Sequence, residues 1–201
     1  MGIGQIGAIR RRAVFLDRDG VLNRAVIRDG KPYPPRTVEE LEMVPEAPAC
    51  LGRLKAAGLL LLVVTNQPDV ARGTQTRHTV ESINASLTAR LPLDGFYVCY
   101  HDSADACHCR KPKPGLLTDA ALDHAIDLGA SFMIGDRYRD VEAAQAAGCF
   151  SVWIDYGYSE RGPTRPADAR VQSLGEATDR ILAVLKNQTE PPYRSEARPE
   201  R

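Results

Sequence analysis

The sequence predicts an α/β fold built on a doubly wound parallel sheet, for three reasons. Short apolar runs alternate with longer stretches that have the spacing of amphipathic helices, which is the pattern of βαβ units. One run, residues 59–64, is almost wholly apolar, as in a strand that is buried on both faces. Polar segments follow several of these runs, at the ends of strands where parallel sheets form their sites.

Five strands and five helices are predicted in alternation. Gly58 and Gly148 are expected to end two of the helices, because glycine readily adopts the left-handed conformation that closes a helix. A polar, proline-rich insert over 23–45 is too long for a plain connection and is predicted to be a functional loop over the site. The predicted strands are residues 13–16, 59–64, 95–100, 131–134 and 150–154, and the predicted helices are 47–57, 76–91, 115–128, 139–147 and 177–186.

Composition narrows the class of protein. Lysine and arginine number 26, as do aspartate and glutamate, so net charge gives no reason to expect nucleic acid or an anionic membrane as partner. No apolar run approaches the roughly 20 residues that a membrane span needs, and the N-terminal segment lacks the layout of a signal peptide.

We expect a cytoplasmic protein, monomeric or weakly oligomeric, with one domain over 13–187, an extension over 1–12 and a disordered tail over 188–201.

Two carboxylates end the first apolar run. Asp17 and Asp19 are two positions apart, so in an extended backbone both side chains point to the same side, just before Gly20. Adjacent carboxylates repel, and a divalent cation or a shared proton relieves the repulsion. Metal-assisted phosphoryl transfer uses such a pair, with one carboxylate as nucleophile or ligand and the other as acid/base. Aspartate and glycine also favour turns, so the pair alone is only suggestive.

Two segments further along the chain supply groups that bind phosphoryl oxygens. Thr65, Asn66 and Gln67 follow the buried strand and can donate hydrogen bonds, although threonine and asparagine are equally common in caps and turns. Arg110 and Lys111 precede a predicted helix. A fixed lysine can neutralise charge on a phosphoryl group, and an arginine can bind a second oxyanion.

A third segment carries a further carboxylate past a strand end. Asp136 can complete a magnesium site that Asp17 begins, or it can cap the helix that follows. Asp140, one turn further, is either a first-turn residue that the helix dipole stabilises or a partner that supports Asp136. Arg137 either adds charge near the metal or is an ordinary surface arginine.

Three of the five cysteines are crowded together, in the spacing Cys-x-His-x5-Cys-x-Cys. An odd number of cysteines with this crowding argues against a disulfide framework and for a metal site in a reducing compartment. Three thiolates and one imidazole form the closed tetrahedral set of structural zinc, which leaves no position for a catalytic water. Zinc would hold the neighbouring Lys111 against the phosphate site. The predicted Zn²⁺ ligands are Cys99, His101, Cys107 and Cys109.

The four polar segments together resemble the haloacid dehalogenase-like phosphohydrolases. The family pattern is DxDG, then threonine or serine, then lysine, then an acidic residue after GD, and the likeness covers roughly residues 13–158. In the family's order these positions are Asp17 with Asp19, Thr65, Lys111 and Asp136. The resemblance implies that Asp17 attacks phosphorus to form an aspartyl-phosphate and that Asp19 is the acid/base. It also implies Mg²⁺ held by the carboxylates of Asp17 and Asp136 and the backbone carbonyl of Asp19.

The resemblance assigns the other polar groups as well. Thr65 and Lys111 would bind the phosphoryl oxygens, the electrostatic part of catalysis. The stretches between Asp19 and Ala47, and between Thr65 and Lys111, are too short for a sizeable cap domain, so an open site is expected. The predicted substrate-binding residues are Arg18, Asn66, Gln67, Arg110 and Arg137.

The string from Cys99 to Lys111 narrows the resemblance to a zinc-containing branch with a Rossmann-like sheet. That branch holds D-glycero-D-manno-heptose 1,7-bisphosphate phosphatases and histidinol-phosphate phosphatase domains, which act on small phosphorylated metabolites. The heptose bisphosphate is the preferred substrate. Histidinol phosphate is the alternative, because its amine could attract the carboxylates of the insert, Asp29, Glu39 and Glu40. A non-catalytic zinc-stabilised scaffold and a nucleic-acid 3′-phosphatase are further hypotheses.

Overall fold

A six-stranded parallel sheet carries the fold in the computed structural model, which describes residues 10–189. The strands are β1 (Ala13–Leu16), β2 (Val26–Arg28), β3 (Lys31–Tyr33), β4 (Leu60–Asn66), β5 (Gly95–Cys99), β6 (Phe132–Gly135), β7 (Phe150–Ile154) and β8 (Ala169–Val171). The sheet order is β5-β4-β1-β6-β7-β8, so the chain winds outwards from a central β1 to both edges. This topology confirms the predicted fold class and leaves a crevice at the carboxyl end of β1.

Helices pack on both faces of the sheet. They are α1 (Ala47–Ala56), α2 (Arg77–Thr88), α3 (Gly115–His124), α4 (Tyr138–Ala147) and α5 (Leu174–Thr189). On one face, Val14 and Leu61 join a core with α1 and α5, and on the other Phe15 and Leu62 join a core with α3 and α4. Successive side chains of a strand point to opposite faces, so the central strands serve both cores and are apolar at nearly every position.

The register of β1 sets the position of the site. Leu16 is aligned with Val63 of β4 and with Ile134 of β6, and the backbone N–H of Asp17 donates to the Ile134 carbonyl at 2.9 Å. The residues that follow these three positions therefore emerge side by side. Asp17, Thr65 and the segment after β6 meet at one edge of the sheet because their strands are neighbours.

The predicted loop over 23–45 contains a hairpin of β2 and β3. Asp29 and Gly30 form its turn with φ of 50° and 70°, the backbone conformation that a tight two-residue hairpin turn needs. These strands were not predicted, because each has three residues and Pro32 lies in the second. No cap domain is present within residues 10–189, and this hairpin covers the site instead.

Other boundaries differ by a few residues from those predicted. Gly58 and Gly148 follow α1 and α4 with positive φ, as expected. Helix α3 ends at His124 instead of residue 128, because Ala125 takes a left-handed conformation and its N–H bonds to the Ala121 carbonyl. Strand β8 was not predicted, since three residues at a sheet edge carry little pattern.

The chain ends were predicted to lie outside the domain. Residues 1–9 and 190–201 lie outside the described residues. Within the predicted extension, Arg11 pairs with the backbone at Ala125 and Asp127, and within the predicted tail residues 188 and 189 belong to α5. No helix in the described part of the chain is long and apolar enough to cross a membrane.

The central core should be sensitive to loss of side-chain volume. We expect Leu62→Ala to lower the free energy of unfolding by about 2–5 kcal/mol, because Leu62 is fully buried and the truncation leaves a cavity. Leu122→Ala is the control, since Leu122 is 82% exposed and should change stability by less than about 0.5 kcal/mol. Urea unfolding measures both, and equal effects would contradict the core assignment.

Candidate active site

A cavity of about 200 Å³ opens at the carboxyl ends of β1 and β4. Its walls come from these strand ends, the β2–β3 hairpin, the loop after β4 and the segments that precede α3 and begin α4. Of the sequence-predicted site residues, those that line it are Asp17, Asp19, Thr65, Asn66, Arg110, Lys111 and Arg137. The topology therefore brings together residues that are far apart along the chain.

Three buried carboxylates lie close together at this cavity, and two of them, Asp17 and Asp140, line it. Oxygens of Asp17, Asp136 and Asp140 lie within 4.8 Å of one another. Burial raises the pKa of Asp17 to about 6; Lys111 opposes the shift, and Asp140 and Asp19 add to it. Burial, with the Asp17 and Asp140 charges, raises the pKa of Asp136 well above its usual range. This negative charge favours a bound cation.

The three carboxylates fit a divalent metal such as Mg²⁺. Magnesium takes oxygen ligands, commonly one or two carboxylates together with water and substrate phosphate. Oδ1 of Asp136 is buried and has no hydrogen-bond partner among residues 10–189, so it is available as a ligand. Gly20 permits the close approach of Asp136, because a Cβ at position 20 would lie 1.9 Å from Asp136 Oδ2. Asp140 belongs to this carboxylate cluster, although it was predicted only to lie in the first turn of a helix or to support Asp136.

Lys111 compensates part of this charge. Its buried Nζ lies 3.0 Å from Asp17 Oδ1 and 2.6 Å from Asp140 Oδ1, and it donates to the Val64 carbonyl at 2.7 Å. Although burial alone would lower the pKa of Lys111, the two carboxylates raise it above its usual value, so the ammonium stays charged. Lys111 therefore favours the ionised form of Asp17, although burial still leaves the pKa of this carboxyl above its usual value.

The backbone of Lys111 is fixed by Asn66. The Asn66 Nδ2 donates to the Lys111 carbonyl at 3.0 Å, and the Lys111 N–H donates to Asn66 Oδ1 at 3.1 Å. These two bonds tie the end of β4 to the segment before α3. Asn66 thus lines the cavity and also positions the lysine, a role that no sequence pattern indicated.

Asp19 lies beside Asp17 and is held by four hydrogen bonds. Arg18 donates to both of its carboxylate oxygens, at 3.2 and 3.0 Å. Asn23 donates to Oδ1 at 3.0 Å and Gln67 to Oδ2 at 2.8 Å. Gln67 also donates to Thr65 Oγ1 at 2.9 Å, which leaves the Thr65 hydroxyl proton to be donated elsewhere.

The structure places two of the predicted substrate-binding residues away from the cavity surface. Arg18 and Gln67 are fully buried, and neither lines the cavity. Arg18 points into the protein, where it bonds Asn84 of α2 at 3.0 Å as well as Asp19. This placement differs from the one expected, because a sequence pattern puts a residue at a strand end without showing which side of the loop its side chain takes. Both residues hold Asp19 from behind.

Cations surround the mouth of the cavity. Arg110 and Arg137 were predicted there, and Arg137 forms an ion pair with Glu160. The buried Nε of Arg110 has no partner among the described residues. Three further cations, none of them predicted to bind substrate, line the cavity: Lys31, Arg72 and Arg139.

The cysteine cluster has the shape of a zinc site. The measured separations are 3.7 Å for Cys99 to Cys107 and 3.5 Å for Cys107 to Cys109 (Sγ to Sγ), and 3.8 and 3.4 Å from His101 Nδ1 to Cys99 and Cys109. A tetrahedron with such edges has its centre about 2.2 Å from each corner, close to Zn–N and Zn–S bond lengths. The four residues therefore fit the predicted ligand set.

One thiol of this cluster, that of Cys107, has a lower pKa than an ordinary cysteine thiol. Burial alone would raise the pKa of Cys107, but hydrogen bonds from Cys109, the Arg110 N–H and Cys99 lower it to about 7. Burial and the two neighbouring thiols raise the pKa of Cys109 to about 12. A metal ligand must be a thiolate, and a bound cation would stabilise all three together.

The loop that carries the cysteine cluster, residues 99–109, is hydrogen-bonded to the cavity wall. Arg72, on the loop after β4, donates to both oxygens of Asp102 at 2.9 and 2.8 Å. Arg110 donates to the backbone carbonyl of His101 at 3.1 Å. The loop that carries the cysteine cluster therefore holds the side chains of two cations that line the cavity.

Comparison with known proteins is consistent with this geometry. A protein-family model described as HAD-hydrolase-like matches residues 108–177. The D-glycero-beta-D-manno-heptose-1,7-bisphosphate 7-phosphatase of Pseudomonas aeruginosa is 34% identical over 161 residues, which cover 78% of this chain and 88% of that protein. The D-glycero-alpha-D-manno-heptose-1,7-bisphosphate 7-phosphatase of Mycobacterium tuberculosis is 38% identical over 174 residues, 81% of this chain and 87% of that protein. The chain belongs to this family of haloacid dehalogenase-like phosphatases.

A solved structure supports the same assignment. The D,D-heptose 1,7-bisphosphate phosphatase from B. bronchiseptica, complexed with magnesium and phosphate, matches with a TM-score of 0.74 and 27% identity. The match covers 86% of this chain and 99% of that one. Membership confirms the resemblance seen in the sequence and makes this protein a phosphoric monoester hydrolase, so the hypothesis of a non-catalytic scaffold was wrong.

Loss of one cysteine ligand should remove the metal. We expect Cys107→Ala to reduce bound zinc to well below one equivalent and to lower Tm by at least ~6 °C, because metal binding contributes to folding. Cys149→Ala is the control, since Cys149 is buried away from the cluster and its loss should leave zinc content unchanged. Elemental analysis and thermal unfolding give the two readouts, and full zinc content in the Cys107 variant would contradict the ligand set.

Proposed function

We propose that this enzyme removes the 7-phosphate of a D-glycero-D-manno-heptose 1,7-bisphosphate, with Mg²⁺ as catalytic cofactor. The observation that carries the proposal is the position of the Asp17 carboxylate, which lines the cavity, lies 3.0 Å from Lys111 Nζ and is within 4.8 Å of the other two buried carboxylates. The names of the relatives supply the substrate. Both anomers occur among those names, so either anomer is a candidate.

The metal would be held by Asp17 and Asp136, with the backbone carbonyl of Asp19 and with Asp140 close by. Bound Mg²⁺ offsets negative charge on the phosphoryl oxygens and keeps the carboxylates ionised. Thr65 and Lys111 lie at the same end of the sheet. The threonine hydroxyl donates to a phosphoryl oxygen, and the lysine charge stabilises the transition state.

In the first half-reaction Asp17 attacks phosphorus. A bond forms between its carboxylate oxygen and phosphorus, the bond from phosphorus to the sugar oxygen breaks, and an aspartyl-phosphate results. Asp19 gives its proton to the departing sugar oxygen, so that an alcohol leaves instead of an alkoxide.

In the second half-reaction water hydrolyses the aspartyl-phosphate. Asp19, now a carboxylate, takes a proton from the water while the water oxygen bonds to phosphorus and the bond to Asp17 breaks. Inorganic phosphate leaves, and both aspartates return to their starting states. To act as the acid, Asp19 must exchange one of its four internal hydrogen bonds for a bond to the substrate oxygen.

The cations at the cavity mouth suit a second phosphate on the substrate. Arg110 has an unpartnered buried Nε, and Lys31, Arg72 and Arg139 lie on the surrounding walls. The insert carboxylates that favoured histidinol phosphate do not line the cavity, since Asp29, Glu39 and Glu40 lie elsewhere on the insert. The geometry therefore favours a bisphosphate over an amine-bearing monophosphate.

We further propose that the cysteine cluster binds structural Zn²⁺ and that the enzyme works in the cytoplasm. All five cysteines are free, and zinc thiolates persist in a reducing compartment. The monomeric or weakly oligomeric state stays a prediction, as does the absence of a nucleic-acid partner.

Phosphate release from a panel of substrates tests the proposed activity. With Mg²⁺ present, we expect the highest kcat/KM for one anomer of the heptose 1,7-bisphosphate, and poor turnover of fructose 1,6-bisphosphate, histidinol phosphate and a 3′-phosphorylated oligonucleotide. Preferred turnover of histidinol phosphate or of the oligonucleotide would contradict the substrate assignment.

The nucleophile can be removed without loss of the fold. We expect Asp17→Asn to lower kcat by ~10⁴-fold or more, because an amide of the same shape cannot attack phosphorus. The fold should persist because Lys111 keeps its contact with Asp140. Asp123→Asn, an exposed change on α3, is the control. Phosphate release measures turnover, and circular dichroism shows whether the variant is folded. Near-normal turnover by the Asp17 variant would exclude this residue as nucleophile.

Arg110 should distinguish a bisphosphate from a monophosphate. We expect Arg110→Ala to raise KM for the heptose 1,7-bisphosphate by ~10-fold or more, because a charge-assisted contact with the 1-phosphate is lost. The KM for the heptose 7-phosphate, which lacks that group, should change much less. Zinc content is measured alongside, since Arg110 also bonds the backbone of His101. Equal effects on the two substrates would show that Arg110 does not bind the second phosphate.

A further inference from the structure

The segment after β7, residues 156–160, is fixed to three parts of the active site. The Tyr156 hydroxyl donates to the Gly20 carbonyl at 3.1 Å. The backbone N–H of Ser159 donates to the Gly30 carbonyl, in the turn of the β2–β3 hairpin, at 2.9 Å. Glu160 pairs with Arg137 at the cavity mouth. Tyr158, in the middle of this segment, is therefore held on both sides.

The side chain of Tyr158 reaches the carboxylate cluster. Its hydroxyl donates to Asp136 Oδ2 at 2.9 Å. Burial and the Asp136 carboxylate raise the pKa of Tyr158 above its usual range, so the hydroxyl keeps the proton that it donates. The indole Nε1 of Trp153 donates to the backbone carbonyl of Asp136 at 3.1 Å, which fixes the main chain at the same residue.

Asp136 differs from the other two carboxylates in how it is held. Asp17 accepts from the Arg18 N–H at 2.8 Å and contacts Lys111. Asp140 contacts Lys111 and accepts from the Arg137 N–H at 3.0 Å. For Asp136, the hydrogen bond from Tyr158 is the one made to its carboxylate within residues 10–189, and it uses Oδ2 while Oδ1 stays unpaired.

We propose that Tyr158 is a positioning residue that orients Asp136 for Mg²⁺ binding. By holding Oδ2, the hydroxyl fixes the rotation of the carboxylate and turns Oδ1 toward the metal site. Groups that hold metal ligands in this way commonly contribute 10–100-fold to metal affinity. The inference rests on the proposed function, because it requires that the carboxylate cluster binds Mg²⁺.

The test compares two variants that lose the same kind of bond. Tyr158→Phe removes the hydroxyl that contacts Asp136. Tyr97→Phe is the control, because the Tyr97 hydroxyl donates to the exposed Asp123 at 2.8 Å, away from the cluster. Calorimetric titration with Mg²⁺, without substrate, measures the Kd of each zinc-loaded protein.

We expect Tyr158→Phe to raise the Kd for Mg²⁺ by ~10-fold or more and Tyr97→Phe to leave it unchanged. At saturating Mg²⁺ the Tyr158 variant should recover most of its kcat, because the bond acts on metal binding and not on phosphorus. A third protein with 4-aminophenylalanine at position 158 restores a donor at that place and should recover Mg²⁺ affinity, whether or not the phenylalanine variant folds.

Three results would overturn the inference. If wild type binds Mg²⁺ and Tyr158→Phe binds it equally well, Tyr158 does not position Asp136, although the proposed function stands. If the 4-aminophenylalanine protein folds with zinc bound but binds Mg²⁺ no more tightly than a folded Tyr158→Phe variant, the hydrogen-bond donor at position 158 is not what sets the affinity. If the phenylalanine variant does not fold, the same conclusion follows when the Kd of the 4-aminophenylalanine protein is tenfold or more above that of wild type. If wild type itself binds no Mg²⁺, the proposed metal site is wrong, and the inference that depends on it is wrong as well.

Discussion

Charge compensation among buried groups is the constraint on which the site depends. Three carboxylates lie within 4.8 Å of one another at the end of a sheet whose central strands are fully buried, and Lys111 neutralises only part of their charge. Isolated buried charges of this kind are costly unless they are paired or bound to metal. The cluster is therefore suited to a bound cation and a phosphoryl group. Many of the surrounding polar side chains hold the residues of this cluster in position.

That surrounding structure is a set of buried side chains that act through their neighbours. Arg18 and Gln67 hold Asp19, Asn66 fixes the backbone of Lys111, and Tyr158 bonds Asp136. They come from the end of β1, the end of β4 and the segment after β7, so most of these bonds join different strand ends or loops. The loop of the cysteine cluster has a similar role, because Asp102 and the His101 carbonyl accept hydrogen bonds from Arg72 and Arg110, two cations that line the cavity.

The sequence predicted the fold class and most elements because uninterrupted apolar strands and glycine helix ends are local signals. It also predicted which segments meet, since the ends of neighbouring parallel strands lie together. It did not predict the supporting roles of Arg18 and Gln67, because burial of a polar side chain depends on the packed structure. Lys31, Arg72 and Arg139 were not predicted to bind substrate, because only folding brings them to one cavity. The hairpin did have a signal, Asp-Gly at 29–30, but its strands are too short to show alternation.

The most direct test of the account is to trap the phosphorylated enzyme. Asp17 is the proposed nucleophile, so acid quenching during turnover should capture phosphate on this side chain. Borohydride reduces an aspartyl-phosphate to homoserine, and peptide mass spectrometry then locates the change. We predict homoserine at position 17 in enzyme quenched with substrate and Mg²⁺, and unaltered aspartate without substrate. Turnover with no modification at position 17, or with modification at Asp19, would contradict the account.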